Sequence, residues 1–204
     1  IQKVLLPKDY IRFRLTGQFA AEVSDASGTT LFDVVRRRWS DEIIAALKFN
    51  RKWFAEVHES VAVSGELSPS VAQELGLKAG TPVVGGGGDQ ASGGVGNGIV
   101  SPGIVSSTIG TSGVVFAFME NPARDQKGRV HTFCHAVPQR WHVMGVTQGA
   151  GLSLRWVRDH FGGQEVSLSA LLKQDSYELL TQQAAQAKPG CEGLIFLPYL
   201  MGER

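Results

Sequence analysis

Cysteine is nearly absent from this 204-residue chain, which has two, Cys134 and Cys191. They stand far apart and in no CxxC spacing. That fits two structural thiols in a reducing compartment better than a disulfide framework or a zinc knuckle, so the expected address is cytoplasmic. Long apolar runs are missing too. Nothing approaches the length of a membrane span and the N-terminus has no signal-peptide pattern, so a soluble chain with no membrane partner is expected. Nor does one charge dominate, with 20 Lys and Arg against 19 Asp and Glu. No global field would draw in nucleic acid, and the one basic spot, Arg36-Arg37-Arg38-Trp39, reads as a solvated turn before a helix. What the chain does have is an apolar fraction of 43% and 25 glycines. The first is that of an ordinary globular protein, long enough for one large domain or two small ones.

Local signals outline a mixed α/β protein. Ile1-Gln2-Lys3-Val4-Leu5-Leu6 opens without Met and reads as a strand already inside a domain, so an internal piece of a longer protein is expected. Pro7, the helical spacing of Tyr10, Ile11, Phe13 and Leu15, and then Gly17 predict a short helix with proline at its first position and glycine past its end. Residues 29–35 are β-prone. A helix is predicted from Ser40, with Asp41 and Glu42 in its first turn and Ile43, Ile44 and Leu47 as its buried stripe. Ser68-Pro69 through Leu75, ended by Gly76, predicts another, and a domain boundary is expected near residue 80. Beyond it come a buried strand into Gly85, a small-residue helix, and a β-hairpin of 104–109 and 114–118 turning at Gly110 to Gly113. Two β-like runs, 130–137 and 141–147, are followed by helical patterns at 149–161, 167–173 and 175–187 and a last strand at 193–197. Strands first and helices packed on afterward imply a mixed α/β sheet.

The glycines are concentrated where chemistry needs them. Gly85-Gly86-Gly87-Gly88 ends in Asp89-Gln90, and about twenty residues later comes a second tight turn, Gly110-Thr111-Ser112-Gly113. Glycine lets backbone N–H groups approach phosphate oxygens with no Cβ in the way, and an Asp at the lip of such a loop is poised to take a proton. Gly86-x-Gly88-x-x-Ala91 formally matches a dinucleotide fingerprint. An Asp inside the loop would repel the pyrophosphate, however, and no acidic residue follows at the spacing the ribose requires. Structural readings stand beside the chemical one: a helix N-cap for Asp89, close strand-to-helix packing for Gly93, Gly94 and Gly96, and an ordinary hairpin turn for 110–113. His131, Cys134, His135 and His142 invite a metal. Strand alternation puts His131 and His135 on the face opposite Cys134, so core and edge histidines are the better reading. Ser24-Asp25-Ala26-Ser27-Gly28-Thr29 has the makings of an Asx-turn.

Several of these strings together resemble one family. Leu5 to Tyr10, Ser24 to Thr29, Trp39-Ser40-Asp41, Gly86 to Ala91, Gly110 to Gly113, Phe133 to Ala136 and Pro138 to His142 are similar, in order and spacing, to the FGGY family of carbohydrate kinases, its xylulokinases above all. The resemblance implies an actin-like, ribonuclease-H-like pair of α/β domains. Residues 1–80 would be the C-terminal part of the sugar-side domain and residues 81–204 the N-terminal part of the ATP-side domain. It implies ATP and Mg2+ as cofactors, a ketose such as D-xylulose as substrate and, as is common among such kinases, a homodimer. Residue by residue, it implies that Asp89 is the catalytic base, that Gln90 contacts the sugar, and that Gly110, Thr111, Gly151 and Arg155 contact the nucleotide. The family's first phosphate-binding loop precedes Ile1 in its pattern and its adenine segment follows Arg204, so the piece alone is expected to be inactive. A kinase for another polyol or ketose (ribulose, glycerol or fuculose) and a non-catalytic nucleotide-binding protein of the actin-like fold are the alternatives.

Overall fold

A computed structural model describes residues 1–200 and Gly202. The chain divides into two compact units, Ile1–Ser106 with Phe116–Gly145, and Ser107–Val115 with the chain from Val146 onward. The first unit opens with α1 (Pro7–Thr16), begun by its proline and ended by Gly17 in the left-handed region at φ 73, as the local chemistry dictates. The face that α1 buries is polar, consisting of Asp9, Arg12 and Thr16. Arg12 makes this possible. Its guanidinium donates to the carbonyls of Ser64 at 3.0 Å, Gln18 at 2.9 Å and Ala20 at 3.2 Å, so its planar fork of donors is met by backbone acceptors. The strand expected over Ile1 to Leu6 is reduced to one bridge between Val4 and Phe54.

β1 (Ala21–Glu22) runs into α2 (Val23–Ala26) and pairs in parallel with β4 (Val57–His58). Between them lie β2 (Phe32–Asp33) and β3 (Arg38–Trp39), a short antiparallel pair, and α3 (Asp41–Ala46). The arginine cluster sits in the β2–β3 turn and is only partly solvated. Arg37 Nη2 reaches Glu59 Oε2 at 2.6 Å with 7% of its side chain exposed, and the guanidinium lies 5.1 Å from the Trp141 ring. Ser40 caps α3 by accepting the Ile43 N–H, as expected. Only Ile44 is buried, while Ile43 is 41% and Leu47 50% exposed, because a helix under two turns long presents one position to the core rather than a stripe.

β5 (Val63–Glu66) pairs antiparallel with β6 (Pro82–Val84) across α4 (Pro69–Leu75), which Gly76 ends at φ 67. This pairing anchors the strand leading into the glycine run. α5 (Asp89–Gly96) follows, then β7 (Val105–Ile109), β8 (Gly113–Met119), β9 (His131–Cys134) and β10 (Trp141–Thr147) in the sheet order β7-β8-β10-β9. Both hairpins match the sequence signals. The first unit's core is Val23, Ala26, Phe32, Trp39, Ile44, Phe54, Cys134 and Trp141, with a smaller cluster of Ile99, Phe116 and Phe118. Burial pushes the Cys134 thiol up to about 11, whereas Cys191 is exposed. Iodoacetamide on the native protein should therefore label Cys191 and spare Cys134, read by peptide mass, because the thiolate is the nucleophile. Equal labelling would contradict this packing.

The second unit adds α6 (Gly151–Phe161), α7 (Gly163–Leu172) and α8 (Ser176–Ala184). The strand predicted over 193–197 does not form. Cys191–Gly193 is a single 3₁₀ turn, and Leu194 and Ile195 are 81% and 78% exposed. β-propensity proposes a strand, but a neighbouring edge must complete it, and this segment has none among the described residues.

Candidate active site

The glycine run is tied down by backbone on one side. Gly85 N–H donates to Ala62 O at 2.9 Å and Gly86 N–H to Ser60 O at 3.0 Å. Gly86 has φ +79, and a Cβ on Gly85 would lie 2.9 Å from the backbone carbonyl oxygen of Glu59. At these positions the run requires glycine for turning and close approach. α5 starts immediately after. Gly88 takes the N-cap position expected of Asp89. Asp89 is instead the first helical residue, its Oδ1 accepting the Gln90 N–H at 2.8 Å, with its side chain exposed. A carboxylate there also faces the positive end of the helix dipole. Of the three glycines assigned to close packing, Gly94 alone has that role. A Cβ there would lie 2.7 Å from Phe116 Cζ, whereas Gly93 and Gly96 face open space.

Asp89 and Gln90 line a small cavity of about 130 Å³ together with Ser24, Asp25, Phe133 and His142. Asp25 is the residue that sequence reasoning undervalued. A Cβ on Gly88 would be 3.6 Å from Asp25 Oδ1, so two carboxylates flank one glycine. Burial, opposed by Lys8 and reinforced by Asp9, Glu22 and Asp89, holds the Asp25 carboxyl above its ordinary range. A carboxyl raised in the folded state binds its proton more tightly there than in the unfolded chain. The stability it contributes is therefore present at low pH and lost as pH rises through its folded pKa. Asp25→Asn should accordingly raise the melting temperature at neutral pH. A lower one would mean that Asp25 is better paired than its surroundings show. The only hint in the sequence was that the Ser24 to Thr29 loop belongs to the strings that carry the family resemblance.

Behind Asp25 lies a buried polar network. Glu22 is fully buried and accepts from the N–H of Ser24 at 2.8 Å, the N–H of Asp25 at 3.1 Å, Ser24 Oγ at 2.8 Å and Ser60 Oγ at 2.5 Å. Lys8 Nζ stands 3.8 Å from it. Of the four candidate ligands for a metal, His135 and His142 are buried with ring centroids 5.7 Å apart, and His131 is exposed. Among the described residues no three His, Cys, Asp or Glu groups come together around a point. Burial first, and then His135 beside it, push His142 down to about 3.

In the second unit, Gly110 and Thr111 form the exposed tip of the β7–β8 hairpin. The Gly110 N–H closes onto Ser112 O at 2.9 Å. The carbonyls of Gly110 and Thr111 accept the N–H groups of Gly151 at 2.8 Å and Ala150 at 2.9 Å. A Cβ on Gly151 would lie 2.5 Å from Gly110 O, so glycine there lets the start of α6 press against the turn. Arg155, one turn further along α6, is exposed.

Comparison with known proteins places this architecture. Residues 1–96 match the FGGY family of carbohydrate kinases, N-terminal domain, and residues 105–204 match its C-terminal domain. The chain is 43% identical to the xylulose kinase of Escherichia coli K12 over all of its own length and 40% of that protein's. It is 41% identical to the xylulose kinase of Bacillus subtilis 168 over 98% of this chain and 38% of that one. A gluconokinase of Bacillus licheniformis is 32% identical, with 97% of this chain and 38% of that protein covered. Among solved structures, a xyloylose kinase from Brucella ovis superposes with a TM-score of 0.84 at 38% identity, over all of this chain and 40% of that one. The chain thus spans about 40% of the length of the curated relatives it matches. Both domain matches, in order along a chain with this mixed α/β fold, show that it belongs to the FGGY family of carbohydrate kinases.

Proposed function

We propose that the protein is an ATP-dependent kinase that converts D-xylulose to D-xylulose 5-phosphate, with Asp89 as general base. The observation that carries this reading is the carboxylate of Asp89, exposed on a small cavity directly after the glycine turn. The similarity of the whole chain to xylulose kinases supports it. Phosphoryl transfer passes through a loose transition state, so the protein's task is to align the hydroxyl, take its proton late and neutralise charge. The hydroxyl proton passes to Asp89 as oxygen bonds to the γ-phosphorus and the bond to the leaving diphosphate breaks. Gln90, adjacent on α5, holds the sugar. Gly110 and Thr111, at an exposed tip without bulk, hold phosphate, and Gly151 and Arg155 approach the nucleotide.

Magnesium suits the residues present. It keeps most of its waters, takes one or two carboxylates together with phosphate oxygens, and supplies charge neutralisation when bound. Asp25, which lines the same cavity, would offer such an oxygen and leave Asp89 free to take the proton.

The similarity to a gluconokinase favours gluconate as the second substrate to examine. The test is ATP-dependent phosphorylation by the full-length protein of D-xylulose, ribulose, fuculose, glycerol and gluconate. D-xylulose is expected to give the highest kcat/KM, and the 204-residue chain alone is expected to be silent. A different best sugar overturns the substrate. ATP binding without phosphorylation of any sugar overturns the catalytic reading.

A further inference from the structure

The run that carries Asp89 has no side chains of its own to hold it, yet a group that takes a proton must be held to within about 0.5 Å of its productive position. Besides the backbone bonds of Gly85 and Gly86, two side chains of the first unit tie the run. Lys8 Nζ donates to the Gly85 carbonyl at 3.1 Å and to Asp9 Oδ1 at 2.6 Å. Ser24 Oγ accepts the N–H of Gly88 at 2.9 Å, and Gly88 is the residue directly before Asp89. The second tie is oriented. A carboxylate only accepts, so the Ser24 hydroxyl hydrogen points at Glu22 Oε2, 2.8 Å away, and a lone pair is left facing Gly88. Glu22 in turn is immobilised by the remaining donors from Ser24, Asp25 and Ser60. Buried and fully partnered, such a network rigidifies what it touches.

We propose that Glu22 and Ser24 are positioning residues for the transfer: Ser24, aimed by Glu22, pins the Gly88 N–H and so sets the direction of the Asp89 carboxylate toward the sugar hydroxyl. This rests on Asp89 being the base, and the experiment separates the two claims. Ser24→Ala, Ser24→Thr, Ser27→Ala and Asp89→Asn are made in the full-length protein. kcat, KM, melting temperature and hydrogen exchange at the Gly88 amide are then measured. Ser27 is the control, a buried serine of the same segment that donates to Val23 O at 2.7 Å and accepts the Cys134 N–H at 3.1 Å.

Ser24→Ala should lower kcat by on the order of 10²-fold, as misplacement of a reacting group does. KM for both substrates should stay nearly unchanged, and exchange at Gly88 should be faster. Ser24→Thr, which keeps the hydroxyl, should restore kcat. Ser27→Ala should lose stability at constant kcat. Wild-type kcat in Ser24→Ala beside a dead Asp89→Asn overturns the positioning role and leaves the base intact. An active Asp89→Asn overturns both. If Ser24→Ala does not fold, Glu22→Gln, which keeps the shape but turns an acceptor into a donor, makes the same comparison. A fall in kcat at constant KM supports the proposal, and an unchanged kcat overturns it.

Discussion

Asp89→Asn in the full-length protein is expected to lower kcat by about 10³-fold, within the range that a general base contributes. Asn keeps the size of Asp and can still accept the Gln90 N–H that Asp89 holds at 2.8 Å, so the helix start survives. What is lost is the capacity to take a proton. ATP affinity should be retained, because the groups assigned to the nucleotide, Gly110, Thr111, Gly151 and Arg155, belong to the other unit of the chain. The check is steady-state kinetics with the best sugar, together with calorimetric titration of ATP. A variant within a few-fold of wild type would remove Asp89 from the chemistry. Loss of ATP binding together with turnover would mean that the residue supports structure rather than proton transfer.

The second large effect is on stability in acid and comes from His142. Its ring stacks on Phe116 at 4.4 Å, neither of its nitrogens has a hydrogen-bond partner among the described residues, and its pKa is pushed from 6.5 down to about 3. Below pH 6.5 the unfolded chain takes up a proton at this imidazole that the folded chain refuses, so acid favours unfolding. The stability that His142 contributes is fully present above its unfolded value. It falls as pH drops toward about 3, with a slope approaching about 1.4 kcal/mol per pH unit. His135, held below its ordinary value by burial, adds in the same direction. Urea midpoints of wild type and His142→Phe across pH 7 to 4 isolate the effect, because carboxylates titrating in that range are common to both. Phe fills much of the same space and leaves no polar nitrogen buried without a partner. The two proteins should diverge as pH falls, with the variant the more stable. Parallel curves would show that His142 is solvated.

Much of the local structure was legible because its causes are local. Pro7 and Gly17 bound α1, Pro69 and Gly76 bound α4, and Ser40 caps α3, each through the dihedral or hydrogen-bond preference of the residue itself. The hairpins were legible for the same reason. What failed depended on neighbours. The apolar spacing of α1 said helix but not that Arg12 would turn inward to serve loop carbonyls. Leu194 to Leu197 had the composition of a strand and, among the described residues, no edge to pair with. Asp25 looked like a turn residue because nothing in its own sequence neighbourhood announces Gly88.

By itself, then, the sequence determined the family, the helix ends, the two tight glycine turns and the presence of a carboxylate at the end of one of them. These follow from residue type and spacing along the chain. Only the tertiary structure decided that Gly88 rather than Asp89 caps α5, that Asp25 stands beside Asp89, and that Glu22, Ser24 and Lys8 hold the glycine run in place. Those pairings join residues up to 77 positions apart. Hydrogen bonds and charge act through distance in space, and that distance is set by how strands and helices pack rather than by their order along the chain.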